Sequence, residues 1–216
     1  MLIVDKKERC PLCSSNASYF TLYRKAEYYR CSRCMSVFMA PAFHPAAEQE
    51  KARYETHNND VNDPGYRAFV APLVQKVMDN HGPRETGLDF GAGTGPVAAT
   101  ILREHSYNVS LYDPFFIDDR QKLEQKYDYI ICCEVIEHFH SPAREFGLLR
   151  SMIKPGGSLI CMTRLYTDDI DFGKWVYKDD HTHVFFYHPE SLGWIKTQYS
   201  FYSLETADRI IHFRTA

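Results

Sequence analysis

The sequence lacks several features that would place it in other protein classes. It has no apolar run close to the roughly 18 residues of a membrane span, so we expect no membrane segment. It has no internal repeats and no low-complexity tract. It also lacks an excess of positive charge, because 25 Lys and Arg face 28 Asp and Glu. The net charge of −3 argues against nucleic acid as the main partner, since phosphate binding depends on a basic surface.

The first residues lack the pattern of a secretory signal peptide. Charged residues occupy positions 5–9, where an exported chain has its apolar stretch. We therefore expect a cytoplasmic protein whose cysteines stay reduced. The seven cysteines then need an explanation other than disulfide bonds.

Four cysteines form two pairs with metal-ligand spacing. The pairs are Cys10 with Cys13 and Cys31 with Cys34, and the residues between them read as an aromatic-rich hairpin. Two such turns can direct four thiolates at one Zn²⁺, which predicts a small structural zinc ribbon. Four unrelated buried thiols, or a redox pair, are the alternatives. We also expect this ribbon to fold separately from the rest of the chain.

The ribbon is also compatible with recognition of a macromolecule. Residues 1–40 hold seven basic and three acidic residues, so a ribbon that reads nucleic acid or protein is an alternative. The remainder of the chain carries 18 basic and 25 acidic residues, which favours a small-molecule partner over a phosphate backbone.

A nucleotide-binding unit begins near residue 86. A short apolar strand at 86–90 leads into the glycine-rich turn at 91–95, and a helix follows Pro96. A second strand ends at Asp113, 20 residues after Gly93, where a carboxylate can accept from ribose hydroxyls. A nicotinamide dehydrogenase would show the same pattern.

Two later motifs distinguish the possibilities. The apolar strand at 127–133 is followed by Glu134-Val-Ile-Glu-His138, and Lys154-Pro-Gly-Gly157 precedes another strand. With the Asp89-x-Gly-x-Gly-x-Gly95 loop, this order resembles class I S-adenosylmethionine-dependent methyltransferases. Together with the cysteine pairs and the aromatic segment at 175–187, it resembles a bacterial subgroup with an N-terminal zinc ribbon. The resemblance implies an α/β, Rossmann-like sheet and a methyl-transfer activity.

One interval departs from the family pattern. Only 15 residues separate Asp113 from Asp128, where the family usually has a helix, a third strand and an adenine-contacting loop. We therefore expect a shortened or absent third strand, with Asp118 or Asp119 as a candidate partner of the adenine amino group. Residues 201–213 are expected to form the final hairpin. The expected domains are a zinc ribbon at 1–40, a linker or lid at 41–65 and a methyltransferase domain at 66–216.

The resemblance implies a set of cofactor-binding residues. The amides of the glycine loop would face the methionine part, Asp113 would accept from the ribose, and Asp89 would either approach the amino group or only brace the loop. The implied positions are Asp89, Gly91, Gly93, Asp113, Cys133 and Glu134.

Catalytic candidates follow the strand ends and occupy the segment beyond Trp175. They are His181, His183, Glu134 and His138, with the segment Tyr54-Glu-Thr-His57-Asn58 as a lid over the cleft. His181 and His183 would share one face of an extended segment, where one is a general base or both brace the loop.

The Glu134-x-x-Glu137-His138 string also resembles a divalent-metal motif of ubiquinone-biosynthesis and small-RNA methyltransferases. It implies Mg²⁺ or Mn²⁺, with His181 or His183 completing the site. Alternatively, no metal binds, Glu134 touches the cofactor, Glu137 faces solvent and His138 caps the turn.

The sequence thus predicts a methyltransferase for a hydroxyl, amine or carbon of a small metabolite, with a non-catalytic cofactor-binding module as a further alternative.

Overall fold

Two β-sheets organise the chain. The computed structural model describes residues 7–56 and 60–216. The strands are β1 Lys7–Arg9, β2 Asn16–Tyr23, β3 Ala26–Cys31, β4 Val37–Met39, β5 Thr86–Phe90, β6 Asn108–Tyr112, β7 Tyr127–Cys133, β8 Ile153–Met162, β9 Phe185–Phe186, β10 Ser203–Ala207 and β11 Ile210–Arg214. The helices are α1 Ala47–Glu55, α2 Pro64–Met78, α3 Val97–Glu104, α4 Pro142–Met152 and α5 Pro189–Gln198.

The larger sheet has six strands in the order β10-β11-β8-β7-β5-β6. Strands β6, β5, β7 and β8 are parallel, and β11 pairs antiparallel to β8. The central strands are almost continuously apolar because helices cover both faces of a parallel sheet. In β7, for example, Tyr129 to Cys132 are all fully buried. This arrangement confirms the predicted α/β, Rossmann-like fold.

The region of the third strand is reduced, as predicted. Among the described residues, the chain between β6 and β7 contains only an isolated bridge from Asp113 to Ile117 and a 3₁₀ turn at Arg120–Glu124. Strand β6 is therefore the edge of the sheet. Asp118 and Asp119 pair with Arg120 and Lys122 in this connection, in contacts of 3.3 and 3.8 Å.

Helix α2, Pro64–Met78, covers one face of the sheet. The Asp63 carboxylate accepts from the Tyr66 amide at 2.6 Å and caps the helix, and Pro64 occupies the first turn. Pro72 lies inside the helix. The buried side of α2 packs against α3 and the sheet through Val70, Leu73, Val74 and Val77.

The ribbon sheet is not separate from the rest of the chain. Its order is β1-β2-β3-β4-β9, and β9 comes from the segment that follows Trp175. Phe38 is opposite Phe185, and Val37 is opposite Phe186. The expectation that the ribbon folds separately is therefore wrong, because the last strand of its sheet is supplied from residues 185–186. The domain boundaries stay a prediction.

Further contacts join the ribbon to residues 165–186, which we call the insertion. Tyr23 donates its hydroxyl to Asp179 at 2.6 Å, and Arg30 pairs with Asp168. Beneath these polar contacts lies a cluster of apolar side chains from both parts, namely Tyr28, Val37, Met39, Tyr166, Phe172, Val184 and Phe186. Burial of this apolar surface holds the insertion against the ribbon. Within the described part of the chain, no helix has the length and apolar character needed to cross a bilayer.

Candidate functional site: a cleft at the carboxyl edge of the sheet

The four ribbon cysteines converge as their spacing predicts. Cys13 Sγ lies 3.3 Å from Cys31 Sγ, and Cys10 Sγ lies 3.6 Å from Cys34 Sγ. All four sulfurs lie within 4.8 Å of one another. Tetrahedral Zn²⁺ with Zn–S bonds of about 2.3 Å requires S···S separations of about 3.8 Å, so this donor set fits zinc.

Both halves of the cysteine cluster have the same local geometry. The Cys10 amide donates to Ser15 O and the Cys31 amide donates to Ser36 O, each at 2.9 Å. The residue after the second cysteine of each pair has a positive φ, 58° at Ser14 and 59° at Met35. Two matching turns of this kind explain how a short sequence directs four thiols at one point.

A cleft of about 970 Å³ lies at the carboxyl ends of β5, β6 and β7. Ligands of open α/β sheets bind at this edge. Glycines Gly91 and Gly93 line it with positive φ values of 82° and 62°. A Cβ on Gly91 would lie 2.5 Å from Val135 Cγ2, so no other residue fits there without movement.

The glycine loop is fastened to the end of β6. The Gly91 amide donates to Tyr112 O at 2.8 Å, and the Gly93 amide donates to Asp113 Oδ2 at 2.9 Å. In this structure these two amides are therefore engaged within the protein and do not face the cleft as ligand donors. Gly91 and Gly93 instead leave space for a ligand to approach the backbone closely, because they have no Cβ.

Asp113 is at the position predicted for a ribose acceptor. It lines the cleft with 6% of its surface exposed. Its second oxygen, Oδ1, accepts from the amides of Phe115 and Phe116 at 2.8 and 3.1 Å. The carboxylate thus joins the glycine loop to the turn that replaces the third strand, and it is fixed in orientation before any ligand arrives.

Asp89 lies deeper, at the end of β5. Burial raises the pKa of its carboxyl to about 7, Arg103 opposes this shift and Asp113 adds to it. An interaction with the backbone of Ala99 favours the charged form. Asp89 also lines the cleft, so bracing of the loop and approach to the amino group both stay predictions.

The end of β7 holds two carboxylates that share one phenol. Glu134 has φ 52°, which is strained for a residue with a side chain, and its Oε2 lies 2.9 Å from the Tyr177 hydroxyl. The same hydroxyl contacts Glu137 Oε1, and Thr163 donates to Glu137 Oε2 at 3.0 Å. Burial and the neighbouring Glu134 raise the pKa of Glu137 well above its usual range. Glu137 is 1% exposed, so the alternative in which it faces solvent is wrong.

Two predicted histidines lie beside Glu137. The rings of His138 and His183 are 4.7 Å apart, and each places Nδ1 against a carbonyl, Thr182 O at 2.9 Å and Tyr177 O at 2.6 Å. A carbonyl can only accept, so Nδ1 carries the proton of each neutral ring and the lone pair is on Nε2. Ligand atoms of Glu137, His138 and His183 lie within 4.8 Å of one another.

The comparisons with known proteins identify the family. Residues 64–206 match a family model described as a methyltransferase domain.

The chain belongs to the family of class I S-adenosylmethionine-dependent methyltransferases.

Curated relatives of this methyltransferase include the ubiquinone biosynthesis O-methyltransferases of Coxiella burnetii and Serratia proteamaculans. The first is 29% identical over 129 residues, which cover 56% of this chain and 55% of the relative. The second is 31% identical over 91 residues, which cover 42% and 38%. The match thus spans about half of the first relative and less of the second.

Solved structures confirm the fold of this methyltransferase. An O-methyltransferase family protein from Burkholderia thailandensis aligns with TM-score 0.54 and 17% identity over 81% of this chain and 64% of that one. The 1,6-didemethyltoxoflavin-N1-methyltransferase of the same organism, solved with S-adenosylhomocysteine, aligns with TM-score 0.55 and 14% identity over 92% and 99%.

Not every predicted residue of the methyltransferase reaches the cleft. His183 is 8% exposed and His181 is exposed, so the two do not share a face. The His183 amide donates to Asp180 O at 3.1 Å, which shows that this segment is a turn and not extended. In the predicted lid, Tyr54 lines the cleft, with its ring 5.2 Å from that of His138, whereas residues 57–59 lie outside the described residues.

Two contributors to the site were absent from the sequence prediction. Tyr177 joins the two carboxylates, and nothing in an aromatic-rich segment singles out one ring of many. Glu50 of α1 lines the cleft and accepts from His140 at 2.9 Å. Glu50 is 7% exposed and is the one buried residue of α1, so no periodic pattern could reveal it.

Proposed function

We propose that the protein transfers a methyl group from S-adenosylmethionine to a small molecule, with a hydroxyl as the leading acceptor and an amine or carbon as alternatives. One observation carries this proposal. The glycine loop and Asp113 line the same cleft as His138 and His183, whose ligand atoms lie within 4.8 Å of those of the buried Glu137. The similarity to ubiquinone biosynthesis O-methyltransferases supports a hydroxyl of a small molecule as the acceptor.

S-Adenosylmethionine would supply the methyl group, and residues of three strand ends would bind it. The Asp113 carboxylate, already oriented by backbone amides, would accept from the ribose hydroxyls. Gly91 and Gly93 would admit the ligand close to the backbone. Cys133 and Glu134, which both line the cleft, would lie beside the transferred group. Methyl transfer is an in-line displacement, so positioning of donor and acceptor supplies much of the catalysis.

The acceptor hydroxyl must lose its proton, and two routes are open to this cluster. His138 and His183 keep their Nε2 lone pairs because Nδ1 of each donates to a carbonyl, so either ring can be a general base. His181, on the outer turn, is a weaker candidate. Glu134 contributes charge beside the reacting centre.

The second route uses a divalent cation. Glu137, His138 and His183 would hold Mg²⁺ or Mn²⁺, which would lower the pKa of a bound hydroxyl. Their donor atoms are close enough for one ion. Both oxygens of Glu137 already accept hydrogen bonds from Thr163 and Tyr177, so those bonds have to rearrange when a cation binds.

Zinc, in this proposal, is structural. Cys10, Cys13, Cys31 and Cys34 would hold it with a closed set of four thiolates, which leaves no position for a substrate. Four such thiols require a reducing compartment, so the proposal includes a cytoplasmic location.

Two measurements test the function. Calorimetry with S-adenosylhomocysteine and NAD should show binding of the first alone. Incubation of the protein with a metabolite extract and isotopically labelled S-adenosylmethionine should produce a labelled small molecule, identified by its mass. Binding of NAD in place of S-adenosylhomocysteine, or label found only in macromolecules, would contradict the proposal.

A further inference from the structure

A second cavity adjoins the cofactor cleft. Its volume is about 490 Å³, and Phe69, Glu134 and His183 line both spaces. The insertion forms one side of the cavity, and Arg209, in the turn between β10 and β11, forms another. A ligand in this cavity would therefore lie next to the proposed bases, on the acceptor side of the site.

The two aspartates of this cavity are already neutralised. Asp180 accepts from Arg53 Nη2 at 2.7 Å and Nε at 3.1 Å. Asp179 accepts from the Tyr23 hydroxyl and pairs with Lys178 at 3.2 Å. Neither aspartate leaves a net negative charge for a cationic ligand.

The third acidic group, Glu134, lies beside the phenol of Tyr177. The Tyr177 hydroxyl is 2.9 Å from Oε2 and also contacts Glu137, and burial raises the pKa of the Glu134 carboxyl. The Oε1 atom of Glu134 is buried without a hydrogen-bond partner among the described residues. Arg209 and Arg164 lower this pKa by charge alone, because neither lies within ion-pair distance of Glu134.

Two arginines of the cavity have no counter-ion among the residues that the structure describes. In the described part of the chain, neither Arg164 nor Arg209 pairs with an acidic side chain within 4.0 Å. The Arg164 guanidinium lies 5.9 Å from the Tyr177 ring centre, and the Arg209 guanidinium lies 5.2 Å from the Phe69 ring centre. Both arginines are half-buried. Aromatic faces support a guanidinium without using its donors, so the N–H groups remain for a planar anion.

We infer that Arg164 and Arg209 bind an anionic group of the methyl acceptor, a carboxylate or a phosphate, and direct the rest of the molecule towards Glu134 and His183. This inference rests on the proposed function and specifies its substrate class. A guanidinium fork matches the oxygens of either anion, and a partly buried cavity strengthens the interaction relative to bulk water. The apolar side chains of Phe69 and Val176 would contact the uncharged part of the acceptor.

A competing explanation is that the two arginines serve only to offset the charge of Glu134. In that case their removal changes the environment of Glu134 but has no effect on the discrimination between charged and neutral ligands. The ratio of affinities for a matched anion and neutral compound therefore separates the two explanations.

The test is a ligand-observed NMR titration of benzoate, phenyl phosphate and benzamide, with and without saturating S-adenosylhomocysteine. We expect at least one anion to bind about tenfold or more tightly than neutral benzamide. The preferred anion identifies carboxylate or phosphate as the group.

The double variant Arg164→Gln/Arg209→Gln should bring the ratio of anion to benzamide affinity close to one, while its affinity for S-adenosylhomocysteine and its circular dichroism stay as in the parent. The matched control is Arg84→Gln, because Arg84 is exposed just before β5, at the opposite edge of the sheet.

Equal affinity for all three probes would overturn the inference, and so would an unchanged ratio in the double variant or an equal loss in Arg84→Gln. Failure of S-adenosylhomocysteine to bind is a different result. It would overturn the proposed function, whereas the anion preference is still measured in the protein without that ligand.

Discussion

The amide of Val184 donates to the carbonyl oxygen of Glu137 at 3.0 Å. The carbonyl of Val184 in turn accepts from the Met39 amide at 2.8 Å. Val184 therefore connects β4 of the ribbon sheet to the segment that carries the buried Glu137 carboxylate. His183, which precedes it, is held by the same connection.

Removal of zinc should therefore affect the acceptor side of the site. We expect about one zinc per chain by metal analysis, and we expect Cys31→Ser to lose it. Because β4 holds β9 and the insertion, this variant should lose most methyl transfer, while S-adenosylhomocysteine affinity should change only a few-fold. Cys161→Ser, in the core of the large sheet, is the control and should retain zinc. A folded, reduced protein with near zero zinc would contradict the ribbon.

Loss of the Asp113 carboxylate should weaken cofactor binding. Asp113→Ala should reduce S-adenosylhomocysteine affinity by roughly 1–3 kcal/mol, the range for a lost charge-assisted hydrogen-bond pair. Calorimetry measures this directly. Asp79→Ala, at the exposed end of α2, should leave the affinity unchanged. Parent-like binding by Asp113→Ala would mean that another residue accepts from the ribose.

A methyl group at Gly91 should be poorly tolerated. Its φ of 82° and the 2.5 Å approach to Val135 predict that Gly91→Ala destabilises the fold by about 1–3 kcal/mol and reduces cofactor binding. Gly193→Ala is the matched control. Position 193 is inside α5 with nothing within 4 Å of an added Cβ, so alanine should stabilise by about 0.5–1 kcal/mol. Urea unfolding of both variants provides the comparison, and equal destabilisation would contradict the steric argument.

Stability should depend on pH through Asp89. Its pKa is about 7 in the folded protein against 3.8 as the ordinary value, so the folded state retains a proton that the unfolded state releases. This contribution is complete below pH 3.8 and is lost as the pH rises through about 7. Asp89→Asn should therefore raise the free energy of unfolding relative to the parent more at pH 8 than at pH 5. A difference that is the same at both values would exclude this titration.

Divalent cations should distinguish the two routes of acceptor activation. If a cation is used, calorimetry in the presence of S-adenosylhomocysteine should show Mg²⁺ or Mn²⁺ binding tighter than millimolar, and Glu137→Ala should abolish it. Glu48→Ala, on the exposed side of α1, serves as the comparison. Binding no tighter than millimolar, or binding that survives Glu137→Ala, would leave proton removal to His138 or His183.

Much of the large sheet was predictable because its signals are local. Apolar runs mark β7 and the second half of β8, glycines mark the turn after β5, and the short interval after Asp113 predicted the reduced third strand. Strand β8 begins at Ile153, so the segment Lys154-Pro-Gly-Gly157, predicted to precede the strand, lies within it. The cysteine pairs likewise carry their geometry in their spacing. The sequence did not predict the pairing of β4 with β9, because a two-residue strand has no periodicity and its partner is distant in the chain. The burial of Glu137 depends on Tyr177 and Thr163, which reach it only after the insertion folds back.

The position of β9 has a consequence for synthesis and folding. Strand β4 is complete once residue 39 has been made, but its neighbour in the sheet is not made until residues 185–186. Throughout that interval the apolar Val37–Met39 strand presents an unpaired edge, which is the kind of surface that recruits other chains. Closure of this edge joins parts of the chain that are distant in sequence, so it should be among the slower folding steps. Aggregation during expression should then be most severe in chains truncated before residue 185.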